Sequence, residues 1–397
     1  MARSLGLHLL GRRGAEVLAL GAIALFFVNF DSQTLWLALP TVAHQFHAAV
    51  PALTDMASVV AVGALLGLPL SMLADRVGRR RMLLFAILGV AVTNLAAGFA
   101  PSLVGLTLIR TLGSCCETTA GGVALTLVVE EVPSELRGLS VSVLTIAAGL
   151  GTGLTTILWP LLTPDWRALY LIGGAGLIGL AILAWRLQES VAWRTAHHDK
   201  LSLRVLFFES RWRKRILVTM AVALFGSLFF QPAGSFTVLF GAHIGLSAAA
   251  RSAVIVVAGV LSVPAFVVGG RLSDRWGRRW LAVGLGLATA IAAGATFLGG
   301  VVLYWVGNVV WSIIASASSP VIGAWYGELF PTRARATAEA ANSVAGSAGG
   351  VAGLQLVGLL SPMLGLGHTL VLCVVAPLIA ALLLLLLAET RAEPLPE

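Results

Sequence analysis

Charge is scarce in this sequence. Of 397 residues, 11% are Asp, Glu, Lys or Arg, against about 25% in a soluble globular domain. Lysine occurs only at Lys200 and Lys214, which together with abundant Arg, Ala and Gly points to a GC-rich bacterial genome. Cysteine is limited to Cys115, Cys116 and Cys373, two of them adjacent, so a disulfide framework is not expected and no metal-ligand spacing is offered. The seven histidines are scattered, with His197 and His198 in a polar stretch. Carboxylates and histidines form no nucleophile or metal pattern, so neither an enzyme nor a bound cofactor is expected.

Apolar residues are abundant, at 58%, with a mean hydropathy of +0.94. A soluble fold of this length cannot hide that much apolar surface. A membrane-spanning helix needs roughly 20 apolar residues. Runs of that kind lie at 15–40, 52–74, 82–100, 103–129, 138–162, 168–187, 216–240, 252–272, 280–298, 303–326, 338–362 and 368–388. The first lacks a small-residue cleavage site and reads as a retained span. The net charge of +8 would suggest nucleic acid in a soluble chain. Here all but three of the 26 Lys and Arg fall on one side of the twelve runs, the exceptions being Arg110, Arg167 and Arg251. That asymmetry is the positive-inside pattern, placing both termini in the cytoplasm. It argues for a bilayer and against a nucleic-acid partner.

Where charge does appear, it repeats. LADRVGRRR (residues 73–81) returns as LSDRWGRRW (272–280), with Asp75 and Asp274 199 residues apart (274 − 75). Glu130, Pro133 and Arg137 form E-x-x-P-x-x-x-R, as do Glu328, Pro331 and Arg335, at an offset of 198 (331 − 133). Glu189 and Glu389 close the two sets, 200 apart (389 − 189). The expected organisation is a six-helix bundle over 1–187, a basic cytoplasmic linker over 188–215 and a second six-helix bundle over 216–397. Such repeats place a substrate site near the midplane between halves. The charged turns join two spans by a short loop, and Gly78 and Gly277 permit the reversal. Asp75 and Asp274 suit a helix N-terminus. Arg76, Arg79, Arg275 and Arg278 can anchor the basic face and pair with Glu130, Glu131 or Glu328. Together with Arg137 and Arg335 they are candidates for a cytoplasmic gate.

The twelve spans, the two charged turns and the E-x-x-P-x-x-x-R turns resemble the major facilitator superfamily across nearly the whole chain. The turn signature there is roughly G-x-L-A-D-R-x-G-R-R; Ser71 replaces its leading Gly in the first copy, whereas Gly270 keeps it in the second. The resemblance implies an all-α integral membrane protein of twelve transmembrane helices in two pseudo-symmetric bundles. It implies transport of a small organic solute by alternating access, in a bacterial plasma membrane, by a monomer.

An ionisable residue inside a span costs about 2.5–3.5 kcal/mol on insertion scales and usually faces a cavity. Asp31, Arg110 and Glu117 stand out. Arg110 and Glu117, seven apart, share one face of a helix at about 10 Å along its axis. Asp31 and Arg110 match in depth, and they are expected to pair because the resemblance implies that spans one and four are neighbours. Glu117, with Ser114, Cys115 and Thr118 around it and no cation within one turn, is expected to be the proton-coupling carboxyl, with Asp31 next. Low dielectric favours the neutral form of a carboxyl, which suits it to carry a proton.

R-x(6)-E in span four resembles the anion:cation symporters, and D-x(7)-L-P from Asp31 to Pro40 resembles proton-coupled groups including the aromatic-acid symporters. Where those branches often carry Arg, this chain has Ser347 and Ser32. Arg110 is then the one cation well inside a span, which disfavours a multiply charged substrate and favours a monocarboxylate or neutral solute. Gln33, Trp36, Gln231, Asn308, Trp311 and Gln355 are further candidates for the substrate site. Proton-coupled symport is the first reading. The second is proton-antiport export, which Asp31 and the Ala38–Pro40 stretch also fit, although span five lacks the exporters' Gly-Pro signature.

Overall fold

The computed structural model describes residues 11–133, 136–185, 210–330 and 335–390. The elements among them are helical: α1 (Gly11–Gln45), α2 (Val50–Val77), α3 (Arg79–Gly98), α4 (Leu103–Glu131), α5 (Arg137–Leu162), α6 (Trp166–Trp185), α7 (Ser210–His243), α8 (Ala248–Trp276), α9 (Arg278–Ala295), α10 (Val301–Leu329), α11 (Arg335–Leu364), α12 (Leu366–Cys373) and α13 (Val375–Leu383). Helices α12 and α13, with a 3-10 turn at Leu384–Leu386, run on as one apolar segment. The break at Val374 has a cause in Pro377, whose ring cannot donate to the carbonyl of Cys373 and crowds it. Twelve helical segments result, ten of them long and apolar enough to cross a membrane among the described residues. The other two helices, α6 with 20 residues and α9 with 18, pack on spanning helices, α6 on α3 and α9 on α10. The protein is an all-α, multi-pass membrane protein.

The chain forms two compact units, residues 1–48 with 59–198 and residues 49–58 with 199–397. Most of the expected linker, including Glu189, His197 and His198, lies outside the described residues. The first unit has a core of small and branched residues from α1, α3 and α4, among them Ala24, Ile87, Val90, Ala120 and Val123. The core of the second gathers Trp212, Ile216, Val321, Trp325 and Leu329. Lipid does not reward burial as water does, so close backbone approach at small residues holds such helices. A Cβ on Gly151 of α5 would strike the carbonyl of Phe26 on α1. One on Gly349 of α11 would strike the carbonyl of Leu224 on α7. Both members of the second contact lie 198 residues beyond the first (349 − 151 and 224 − 26), so the repeat extends from the charged turns to the packing. Hydroxyls add bonds between helices: Thr155 donates to the Phe30 carbonyl at 3.0 Å and Thr119 to that of Gly67 at 3.2 Å.

The charged turns are very short. One residue separates α2 from α3 and one separates α8 from α9; these are Gly78 (φ 109°) and Gly277 (φ 90°), a backbone region that favours glycine. At Gly277 there is a second reason, since a Cβ would lie 2.8 Å from the Glu389 carboxylate. That carboxylate accepts from the backbone N–H of Arg278 (2.9 Å) and Arg279 (3.0 Å), capping the N-terminus of α9.

Candidate functional site

In the first unit four helices bring their polar residues to one point. Asp31 from α1, Asn94 from α3, Arg110 and Glu117 from α4, and Tyr170 from α6 are all buried. The guanidinium of Arg110 organises them. Its Nη1 donates to both oxygens of Asp31, at 2.9 and 3.0 Å, and to Oδ1 of Asn94 at 3.1 Å. Its Nη2 donates to Oε1 of Glu117 at 2.7 Å. The Tyr170 ring covers it, with Cζ 5.1 Å from the ring centroid. Nε of Arg110, Nδ2 of Asn94 and the Tyr170 hydroxyl are buried without a hydrogen-bond partner among the described residues.

The expected Asp31–Arg110 pair is present. Glu117, expected to share a face with Arg110 but not necessarily to touch it, is also held by it. Helical side chains lean toward the N-terminus, so Glu117 reaches back along α4 while the long Arg110 side chain spans the remaining distance. Two acids therefore share one base. Asn94 and Tyr170 did not stand out in the sequence. The available signal was a lone Asn in the apolar stretch of α3 and one of only three tyrosines in the chain.

Of the other candidates, Gln33 and Trp36 lie on α1 and are half-buried. Gln33, two residues from Asp31, turns to another face of the helix. In the second unit a cavity of about 1210 Å³ is lined by Gln231 and Trp311. Phe230 stacks on Trp311 there, with centroids 6.1 Å apart and planes at 27°. Ser347 lines it too, so the wall is neutral where the resembling symporters often carry Arg. Asn308 is buried and donates to the carbonyl of Tyr304 at 2.8 Å rather than lining the cavity. Gln355 donates to Asp55 at 3.1 Å and Ser58 at 2.9 Å. At an offset of 198, Asp31, Arg110 and Glu117 correspond to Phe229, Asn308 and Ala315. The second unit thus carries no copy of the ionic cluster.

At the charged turns, Arg79 pairs with Glu130 (2.9 Å) and Arg278 with Glu328 (2.8 Å). The two pairs are equivalent by the repeat (278 − 79 = 199, 328 − 130 = 198). Arg13 of α1 pairs with Glu131 at 2.8 Å, and Thr390 donates to Glu328 at 2.6 Å. Each tie joins helices within one unit. Arg76 and Arg275 are exposed. The side chains of Asp75, Arg137, Asp274 and Arg335 lie outside the described residues.

The family model described as Major Facilitator Superfamily matches residues 21–354 and 265–397. The chain belongs to that superfamily. It is 27% identical over 389 residues to a probable 4-methylmuconolactone transporter of Cupriavidus pinatubonensis, covering 91% of this chain and 88% of that one. It is 29% identical over 192 residues to the gallate transporter of Pseudomonas putida, which covers 47% of this chain and 42% of the relative. Organic anion transporter 3 of Rattus norvegicus is 32% identical over 150 residues, 36% of this chain and 26% of that protein. Among solved structures, a bacterial homologue of the human lysosomal transporter Spinster in an inward-facing, unoccupied conformation superposes with a TM-score of 0.78 at 18% identity, covering 95% and 97% of the two chains. The inward open xylose transporter XylE of E. coli gives 0.76 at 17% identity, over 96% and 98%. This member of the superfamily therefore has its fold and is a membrane transporter, not an enzyme.

Proposed function

We propose that the protein imports a small organic monoanion together with protons, across a bacterial plasma membrane and with both termini in the cytoplasm. One observation carries the reading: two buried carboxylates share one buried guanidinium. With both acids ionised the group holds one excess negative charge, and a buried charge is costly unless it is balanced. One proton balances it. Glu117 is the better acceptor, because it takes one bond from Arg110 whereas Asp31 takes two and is the more deeply buried. Protonation of Glu117 loosens its hold on Nη2. Nη2 and the unpartnered Nε then form one edge of the guanidinium, the fork that binds a carboxylate at two points. Proton and anion binding thereby favour each other, which is the requirement for symport.

Similarity to relatives named for gallate, a muconolactone and organic anions supports a ring-bearing organic acid as the substrate class. The stacked Phe230 and Trp311 offer such a ring a flat surface. Arg79–Glu130 and Arg278–Glu328 brace the cytoplasmic end of each unit while the units rock. The test is uptake into proteoliposomes. Labelled gallate or benzoate should accumulate against its gradient only when the outside is acid. Glu117→Gln should lose that accumulation and keep counterflow exchange. Accumulation indifferent to the pH gradient, or undiminished in the variant, would contradict the proposal.

A further inference from the structure

We infer that Glu339 sets the charge specificity of transport: it holds a second negative charge out of the cavity in the second unit, so that ring monoanions pass and ring dianions of the same shape do not. The inference rests on reading that cavity as part of the substrate path. Among the described residues, the cavity wall is built from aromatic, hydroxyl, amide and small apolar side chains with one carboxylate, Glu339, and no Lys, Arg or His. Glu339 lies on the second turn of α11. Its side chain is exposed and makes no ion pair among the described residues.

The same face of α11 continues along the cavity. Asn342 and Ser343 follow one turn on, and Gly346 and Ser347 two turns on. A solute lying along this face meets hydroxyls and amides, then one fixed negative charge. A monoanion can direct a neutral edge toward Glu339. A dianion meets no cation among the described residues of this wall to offset its second charge, and its repulsion from Glu339 is left unbalanced. Specificity is commonly enforced by such a repulsive element as well as by attractive ones.

Terephthalate and its monoamide, 4-carbamoylbenzoate, share a ring and a shape and differ by one charge. Thermal shift and competition for uptake can be measured for both with the full-length protein and with Glu339→Gln and Glu339→Asp. The wild type should favour the monoamide by about tenfold or more. Glu339→Gln should bring the dianion to within roughly threefold of the monoamide, and Glu339→Asp should keep the gap. An undiminished gap in Glu339→Gln overturns the inference. So does equal binding of both compounds by the wild type, which would leave the reading of the cavity as a substrate path intact. Binding of neither compound overturns that reading, and the inference with it.

Discussion

Arg110 serves three acceptors from two nitrogens, and most of the chemistry proposed for this protein depends on that sharing. Removing one partner from a buried ionic group costs about 3–5 kcal/mol, because the remaining charge has nothing to balance it. Arg110→Ala should therefore lower the thermal midpoint of the detergent-purified protein strongly. Adding Glu117→Gln to it should restore part of the loss, since one of the two stranded carboxylates is then gone. Additive losses in the double variant would mean that the pair is not coupled. Arg110→Lys should fail to restore anion binding, because a point charge cannot make the fork. Sequence spacing was enough to put Asp31 and Arg110 at one depth and Arg110 and Glu117 on one face. It was not enough to show that Glu117 also reaches Arg110. That depends on the lean and length of side chains, which residue spacing does not contain. Asn94 and Tyr170 were hidden for a similar reason: their roles come from which helices pack together.

Helices meet here where residues are small, and the glycines can be sorted by what they face. Gly151 and Gly349 lie against carbonyls of neighbouring helices, whereas a Cβ on Gly149 would meet nothing within 4 Å. Gly151→Ala and Gly349→Ala should each lower the thermal midpoint, since α5 or α11 must back away from its partner. Gly149→Ala should be neutral or slightly stabilising through helix propensity. Equal effects at all three positions would refute close packing as the reason. The charged turns give a second test at this scale. Arg79→Glu should impair transport, and adding Glu130→Arg should recover a good part of it if the pair acts as a brace. The spans were legible from apolar runs and the sharp turns from Gly78 and Gly277. The division of the last span into α12, α13 and a 3-10 turn was not anticipated, because an apolar run of that length reads as one helix and Pro377 interrupts its interior locally. The shared Gly-to-carbonyl contacts were also not anticipated, since single glycines in apolar spans are common.

Across the whole molecule, the repeat built two units of like architecture and gave them unlike chemistry. The first holds a buried ionic cluster. The second, at the corresponding positions, holds Phe229, Asn308 and Ala315, with a cavity lined by aromatic and polar side chains nearby. Twelve helical segments and a transporter fold were legible in the sequence, the segments from apolar runs and the fold from the 198- to 200-residue offset that recurs in three separate motifs. The substrate cavity was legible only in part: Gln231 and Trp311 line it, but Asn308 spends its amide on the backbone of its own helix and Gln355 spends its amide on α2. A polar residue in a span can serve a ligand or another helix, and sequence does not tell the two apart. The central claim is that anion and proton move together through the Arg110 cluster. Its most direct measurement is the external pH of a weakly buffered suspension of proteoliposomes when an inward gradient of benzoate is imposed without any pH gradient. The account predicts that the medium turns alkaline as protons enter with the anion, and that Glu117→Gln abolishes this change. Benzoate entry with no movement of protons, or an unchanged signal in Glu117→Gln, would contradict it.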